Sequence, residues 1–234
     1  MNELKGISSM ATRLVLAELA EAFQRRSGYR VSMESVGGVD AARRVRSGEA
    51  FDVVFLASDA IDTLIASGHV RAGSRVNLVR SGVAIAVRAG SPKPDISTEE
   101  ALRRAVHTAR SVSYSTGPSG TALVKLFDRW GLTEELRTRI VQPAPGIPVG
   151  SLVASGEVEL GFQQLSELMH IEGIAILGSM PSAIQIMTTF SGGVCAVSAQ
   201  ADIARALLDF MASPEALDAK LRQGMESAES QKGS

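Results

Sequence analysis

Hydroxyl, glycine and amide residues gather at a few points of this sequence where neutral hydrogen-bond donors could act together. They are Ser8-Ser9, Gly37-Gly38, Ser58, the run Ser115, Thr116, Gly117, Ser119, Gly120 and Thr121, then Pro145-Gly146, and Gln163-Gln164. Such groups, with the unpaired N–H groups of helix amino termini, hold an anion through dipoles and hydrogen bonds rather than through a full opposite charge. The ordinary role of a serine at a helix start is to cap it, and of a glycine pair to permit a turn. The Ser8-Ser9 and 115–121 segments carry more hydroxyls than either role needs. Other chemistries lack their residues. His69, His107 and His170 are far apart without metal-ligand spacing, and Cys195 is the one cysteine, so neither a metal nor a disulfide is expected. Cys195 stands among Gly192, Gly193, Val194, Ala196 and Val197, the setting of a small buried thiol rather than a nucleophile. Gly117-Pro118-Ser119-Gly120-Thr121 departs from a nucleophile elbow in its fifth residue, and no strand runs straight into Ser119. With no phosphate-binding glycine motif for a nucleotide, no cofactor is expected.

Composition narrows the classes further. In 234 residues, 45% are hydrophobic and 21% charged, as in ordinary globular domains. A chain of this length buries roughly 70 to 75 per cent of its unfolded surface as one large domain or two lobes. Lys plus Arg number 24 against 25 Asp plus Glu, so nothing draws the chain to a nucleic-acid backbone or an anionic membrane. An aromatic content of 4% argues against base-stacking platforms. The opening residues show no apolar export signal, and no apolar run approaches the roughly 18 residues of a spanning helix. As written the chain is expected to be cytoplasmic, or periplasmic if a leader is removed.

The elements that must position these groups alternate between helix and strand. A helix is predicted from about residue 10, with Leu16, Leu19, Ala20 and Phe23 on one face and Gly28 at its end. Strand alternation follows at 29–34, a short helix at 39–46, a strand buried on both faces at 53–57, and a helix capped by Ser58. Apolar stretches at 76–79 and 83–87 flank Ser81-Gly82, where the chain passes into a second lobe. Beyond it the sequence predicts a capping box of Ser97 and Glu100, a strand at 112–114, a loop at 115–120, helices at 121–130 and 148–154, and a strand at 158–162. Helices at 199–211 and 214–222 precede a solvated end at 227–234. An internal repeat supports two similar lobes. With Gly38 set against Gly146, Val45 meets Val153 and Ser47-Gly48-Glu49 meets Ser155-Gly156-Glu157 without a gap, each copy leading into an apolar strand. The expected architecture is α/β, each lobe a mostly parallel sheet flanked by helices. Residues 1–80 with 190–234 form the first lobe and 83–188 the second, with crossovers near 80–83 and 188–191. In open parallel sheets ligands bind outside the carboxyl ends of strands, so two facing sets of donors imply a ligand held between the lobes.

These motifs resemble the type II periplasmic solute-binding proteins. The resemblance lies in Ser8-Ser9-Met10-Ala11, Ser27-Gly28-Tyr29-Arg30-Val31, Gly48-Glu49-Ala50-Phe51-Asp52-Val53-Val54, Ala57-Ser58-Asp59, Ser155-Gly156-Glu157, and residues 208–216. It is strongest to the molybdate-binding branch and covers nearly the whole chain. It implies a two-lobe, hinge-closing clamshell that binds a small oxyanion or carboxylate. It places the site in the Ser8-Ser9, Gly37-Gly38 and Ser58 loops and in Ser115, Thr116, Ser119 and Gly120, and the residues themselves add Arg13, Gln163 and Gln164 as ligand-binding candidates. Its partners would be that small anion and, if exported, a membrane transporter, with the protein itself a monomer. Where molybdate binders carry a tyrosine after the strand, this sequence has Gln163-Gln164. The segments 162–168, 184–185 and 189–194 look more like a side branch that includes aconitate isomerase, which shifts a double bond in a tricarboxylate. That alternative implies a base and carboxylate-holding cations. Arg13 and Arg80 are the candidate cations, with one acid among Glu34, Asp59 and Glu167. The expectation preferred here is a cleft of neutral donors with no acid in it.

Overall fold

The computed structural model describes residues 3–144 and 146–228. The chain divides into two compact units, one made of the residues up to Arg80 and from Thr189 onward, the other of Ser81–Thr188. In chain order the first unit contributes β1 (Glu3–Ser9), a 3-10 turn, α1 (Arg13–Ser27), β2 (Arg30–Val36), α2 (Gly38–Arg46), β3 (Val53–Ala57) and α3 (Ser58–Ala66). Strand β4 (Val76–Arg88) carries the chain into the second unit. There α4 (Glu99–Thr108), β5 (Val112–Tyr114), α5 (Pro118–Arg129), α6 (Thr133–Leu136), α7 (Val149–Ser155), β6 (Leu160–Gln164), α8 (Leu165–Leu168) and β7 (Ile174–Ser179) follow. Strand β8 (Met187–Val194) carries it back to α9 (Ala201–Ala212), α10 (Leu217–Arg222) and β9 (Glu226–Ser227).

The first unit's sheet runs β2-β1-β3-β8. β1 is parallel to both β2 and β3, and β8 returns antiparallel to β3. Strand β3 is buried on both faces, which is why its sequence is a continuous apolar run. Val53, Phe55 and Ala57 join Leu16, Leu19, Phe23, Leu207 and Met211 on one side, and Val54 and Leu56 join Val45, Ile61 and Leu64 on the other. The glycines of β8 make this packing fit. A Cβ on Gly192 would lie 2.5 Å from Leu208 and 2.8 Å from the Phe55 ring.

The second unit's sheet is mixed rather than mostly parallel. Only β5 and β6 pair in parallel, while β6 and β7 both run antiparallel to β4. Strand β4 arrives from the first unit and so runs against strands whose helical connections lie within the second. Its alternation places Val83, Ile85 and Val87 with Phe127, Leu160 and Phe162, and Ala84 and Ala86 with Leu168.

Several boundaries differ from the sequence expectation. The apolar stretches around Ser81-Gly82 are one strand. Thr98, not Ser97, caps α4, accepting from the Ala101 N–H at 3.1 Å. Helix α5 starts at Pro118, inside the expected loop, because the fixed φ of proline suits the first helical turn. Gln163 and Gln164 end β6 instead of following it. The expected solvated end begins with Ser227, which pairs with Val79; residues 229–234 and Pro145 lie outside the described residues. The internal repeat has a local counterpart. Ser47 and Ser155 each donate to the carbonyl three residues back, Arg44 and Leu152, at 2.7 and 3.0 Å. Gly48 and Gly156 then turn the chain at φ 78° and 85°, in the left-handed region that glycine adopts without strain.

Candidate functional site

In the first unit the parallel pairing of β1 with β2 sets Ser9 level with Val36, so the carboxyl ends of these strands present Ser9 beside Gly37 and Gly38. A Cβ on Gly38 would meet the Ser9 Cβ at 3.7 Å. Ser9 precedes the 3-10 turn without capping it. Its hydroxyl is buried and has no hydrogen-bond partner, leaving the proton unused. Ser8 is fully buried. Its hydroxyl pairs with that of Ser35 at 2.8 Å and also reaches the Ser9 carbonyl at 3.1 Å, so it braces β1 against β2.

Ser58 opens α3 at the end of β3, and again the hydroxyl does not cap the helix. It bonds instead to the Thr189 carbonyl at 3.1 Å and to the Ser191 hydroxyl at 2.6 Å. Arg13, the first residue of α1, is exposed. Arg80 lies 4.0 Å from Glu226, a separate pairing.

In the second unit β5 and β6 run parallel with Tyr114 opposite Phe162, which brings Ser115 level with Gln163. The Ser115 and Ser119 hydroxyls bond at 2.9 Å, and Thr116 beside them is exposed. Gly120 has no alternative residue at this packing distance, since a Cβ there would stand 1.7 Å from the Ser115 carbonyl oxygen. Gln163 and Gln164 are both buried. The Gln164 Nε2 donates to the Thr188 hydroxyl at 2.9 Å, and its Oε1 is buried without a partner. The Gln163 Oε1 accepts from the Gly150 N–H at 3.3 Å, and its Nε2 donates to Glu167 at 2.7 Å.

Glu167 places an acid beside Gln163, one of these neutral groups. Burial pushes its carboxyl up to about 7, and the Gln163 donor opposes that rise only in part. The other two candidate acids have different surroundings. Glu34 is exposed and accepts from Nη1 and Nη2 of Arg44, at 2.5 and 2.9 Å, which hold it below the usual carboxylate range. Asp59 is exposed and accepts from the Ala60 N–H of its own helix.

Each unit therefore gathers its own share of the expected residues: Ser9, Gly37, Gly38 and Ser58 in one, Ser115, Ser119, Gly120, Gln163 and Gln164 in the other. Ser191, Asn77 and Thr188 were not anticipated. They reach these groups only through the return of β8 and the course of β4, which no local spacing announces. Among the described residues, no three His, Cys, Asp or Glu side chains gather as metal ligands. Cys195 is buried, and burial, then the nearby Asp52, pushes its thiol up to about 12.

Comparison with known proteins accords with this architecture. The chain is 40% identical over 219 residues to aconitate isomerase from Pseudomonas sp., covering 91% of this chain and 83% of that protein. The periplasmic molybdate-binding protein of Azotobacter vinelandii has the same two-lobe fold, with a TM-score of 0.78 and 22% identity over 95% of this chain and 98% of that one. The sulfate-binding protein SubI from Mycobacterium tuberculosis gives a TM-score of 0.79 at 17% identity, covering 98% of this chain and 88% of that one. No helix among the described residues is long and apolar enough to cross a membrane. Residues 4–226 match the bacterial extracellular solute-binding proteins, and the chain belongs to that family.

Proposed function

We propose that this protein binds a small polycarboxylate anion through the hydroxyl, amide and backbone N–H groups at its strand ends. The observation that carries the reading is the Ser9 hydroxyl, buried at the carboxyl end of β1, idle as a helix cap and without a partner. A buried donor left unmade costs stability, and an incoming anion recovers that cost. The Ser115–Ser119 pair and the Gln164 amide support the same reading in the second unit. As a solute-binding protein it would hand its ligand to a membrane transporter and act as a monomer. The extracellular description of the family favours the exported of the two locations expected from sequence. A thermal-shift screen with molybdate, sulfate, phosphate, citrate and both aconitates tests the reading. A ligand at a hundred times its dissociation constant adds about 2.7 kcal/mol. If sulfate or molybdate stabilises the protein and no polycarboxylate does, the ligand class is wrong.

A second reading is favoured by Glu167 and by the 40% identical relative. On it the bound polycarboxylate is also isomerised, as the name of that relative describes. Proton NMR of cis-aconitate with the protein in D2O tests this, the trans isomer being the product sought.

A further inference from the structure

We propose that Glu167 is the residue that takes and returns the proton in such an isomerisation, with Gln163 as its positioning residue; the inference rests on the second reading above. Three features of the second unit carry it. First, Glu167 lies one turn beyond the end of β6, beside Gln163, which is level with Ser115 on the neighbouring parallel strand. Among the three candidate acids it alone is hydrogen-bonded to an expected site residue.

Second, its geometry is held from behind. The Gly150 N–H bonds to the Gln163 Oε1, which fixes the amide so that Nε2 must face the carboxylate. A base needs this kind of orientation by a third group. Third, no charge fixes its protonation state. The elements packed on α8 include β6 and α7 and, through Leu165 and Leu168, β4 and β7. Strands β6 and β7 and helix α7 contain no Asp, Glu, His, Lys or Arg, and the arginines of β4 lie against other groups, Arg80 near Glu226 and Arg88 beside Gly156. His170, just past α8, is the nearest ionisable residue in sequence, and burial and the Gln163 donor are what act on the Glu167 carboxyl. A carboxyl group in such surroundings, with burial raising it to about 7, gives and accepts protons near neutral pH.

The step is balanced without a cofactor. The Glu167 carboxylate removes a proton from the methylene carbon of the substrate. The C–H electron pair spreads over the three-carbon allylic unit and its carboxylates, the double bond shifts, and the same proton or one from solvent is delivered to the far carbon. Glu167 ends ionised, as it began.

The test follows cis-aconitate by proton NMR in D2O at about pH 7.5, with ligand binding measured separately by thermal shift. The wild type is expected to form the trans isomer with deuterium incorporated. E167Q should be about 100-fold slower or worse, the usual scale for losing a general base, and should still be stabilised by aconitate. E167D should recover part of the rate. Conversion by E167Q at the wild-type rate overturns the inference and leaves the isomerase reading standing, whereas no conversion by the wild type overturns both. The pH profile decides independently of how E167Q folds. Wild-type kcat/KM should rise through an ionisation near 7, and Q163L should move that midpoint upward, because the carboxylate loses its donor. A flat profile from about pH 5.5 to 8.5 overturns the role of Glu167. A slower Q163L with an unmoved midpoint overturns that of Gln163.

Discussion

Ser58 and Ser191 stand 133 positions apart in the chain and share a hydrogen bond of 2.6 Å. Ser191 in turn donates to the Asn77 Oδ1 at 2.8 Å, so one line of hydroxyl and amide groups joins the start of α3, the returning strand β8 and the beginning of β4. Ser191 is fully buried. Ser191→Ala should therefore cost about 1 to 3 kcal/mol, since Ser58 and Asn77 lose a buried partner. Ser58→Ala should cost about 1 kcal/mol at most, because Ser58 is only half-buried and water can replace it. Urea unfolding followed by circular dichroism measures both. Equal costs would mean that the line does not hold β8 to α3.

A second prediction concerns Gly120. A Cβ there meets the backbone oxygen of Ser115, which no side-chain rotation can relieve. Gly120→Ala must push α5 away from β5 and should lower stability by about 3 kcal/mol or more, at the upper end of overpacking effects. Gly117→Ala, three residues earlier, has open space and a φ of −83°. It should be neutral or stabilising by up to about 1 kcal/mol. Trp130, the one tryptophan, lies in the second unit and reports its unfolding by fluorescence. A normal Gly120→Ala melt would show that Ser115 can shift freely.

The donors of both units were legible in the sequence because hydroxyls and glycines at strand-to-helix junctions are local features. Their division of labour was not. Ser8 and Ser9 are adjacent and chemically alike, yet one braces β1 against β2 through Ser35 and the other has no partner. That depends on register, which a period-two pattern leaves open. Strand β8 was legible only as the return of the chain near 188–191, and its extent and packing were not, for a related reason. Its Ser191-Gly192-Gly193 has weak strand propensity, and burial comes from Phe55, Leu208 and Val70 packing against the glycines. Glu167 was one acid of three until Gln163, four residues earlier, proved to be aimed at it.

Stability should depend on pH through Glu167. Its folded-state value, about 7, lies above the ordinary 4.5, so the folded chain binds more protons than the unfolded chain between those values. Stability from this group is therefore lost as pH rises through the window, by about 2 to 3 kcal/mol at one pKa unit per 1.4 kcal/mol with partial exposure discounted. Glu167→Gln should be flatter than the wild type from about pH 4.5 to 7.5 and more stable at the upper end. Parallel pH curves for the two proteins, from matched urea titrations, would show that Glu167 ionises as an ordinary surface acid.

Arg13 offers the means to separate carboxylate ligands from tetrahedral oxyanions. It opens α1, where the helix dipole disfavours a cation, and neither α1 nor the 3-10 turn before it has an acid in its first turn to compensate. No ion pair engages it among the described residues. In the absence of ligand Arg13→Gln should therefore be neutral or stabilising by up to about 1 kcal/mol. On the proposed reading a polycarboxylate would offer Arg13 a carboxylate group beyond the one taken by the neutral donors, and a planar guanidinium suits it. Sulfate or molybdate has no second group to offer. Arg13→Gln should then weaken citrate and aconitate binding about 10-fold, the lower end for a charged hydrogen bond because the side chain is exposed and salt screens it. Any binding of sulfate should change by less than about threefold. Calorimetric titrations at low and high salt would decide it, the loss for the carboxylates shrinking as salt rises. Equal losses for sulfate and citrate would show instead that Arg13 acts on the whole anion site through general charge.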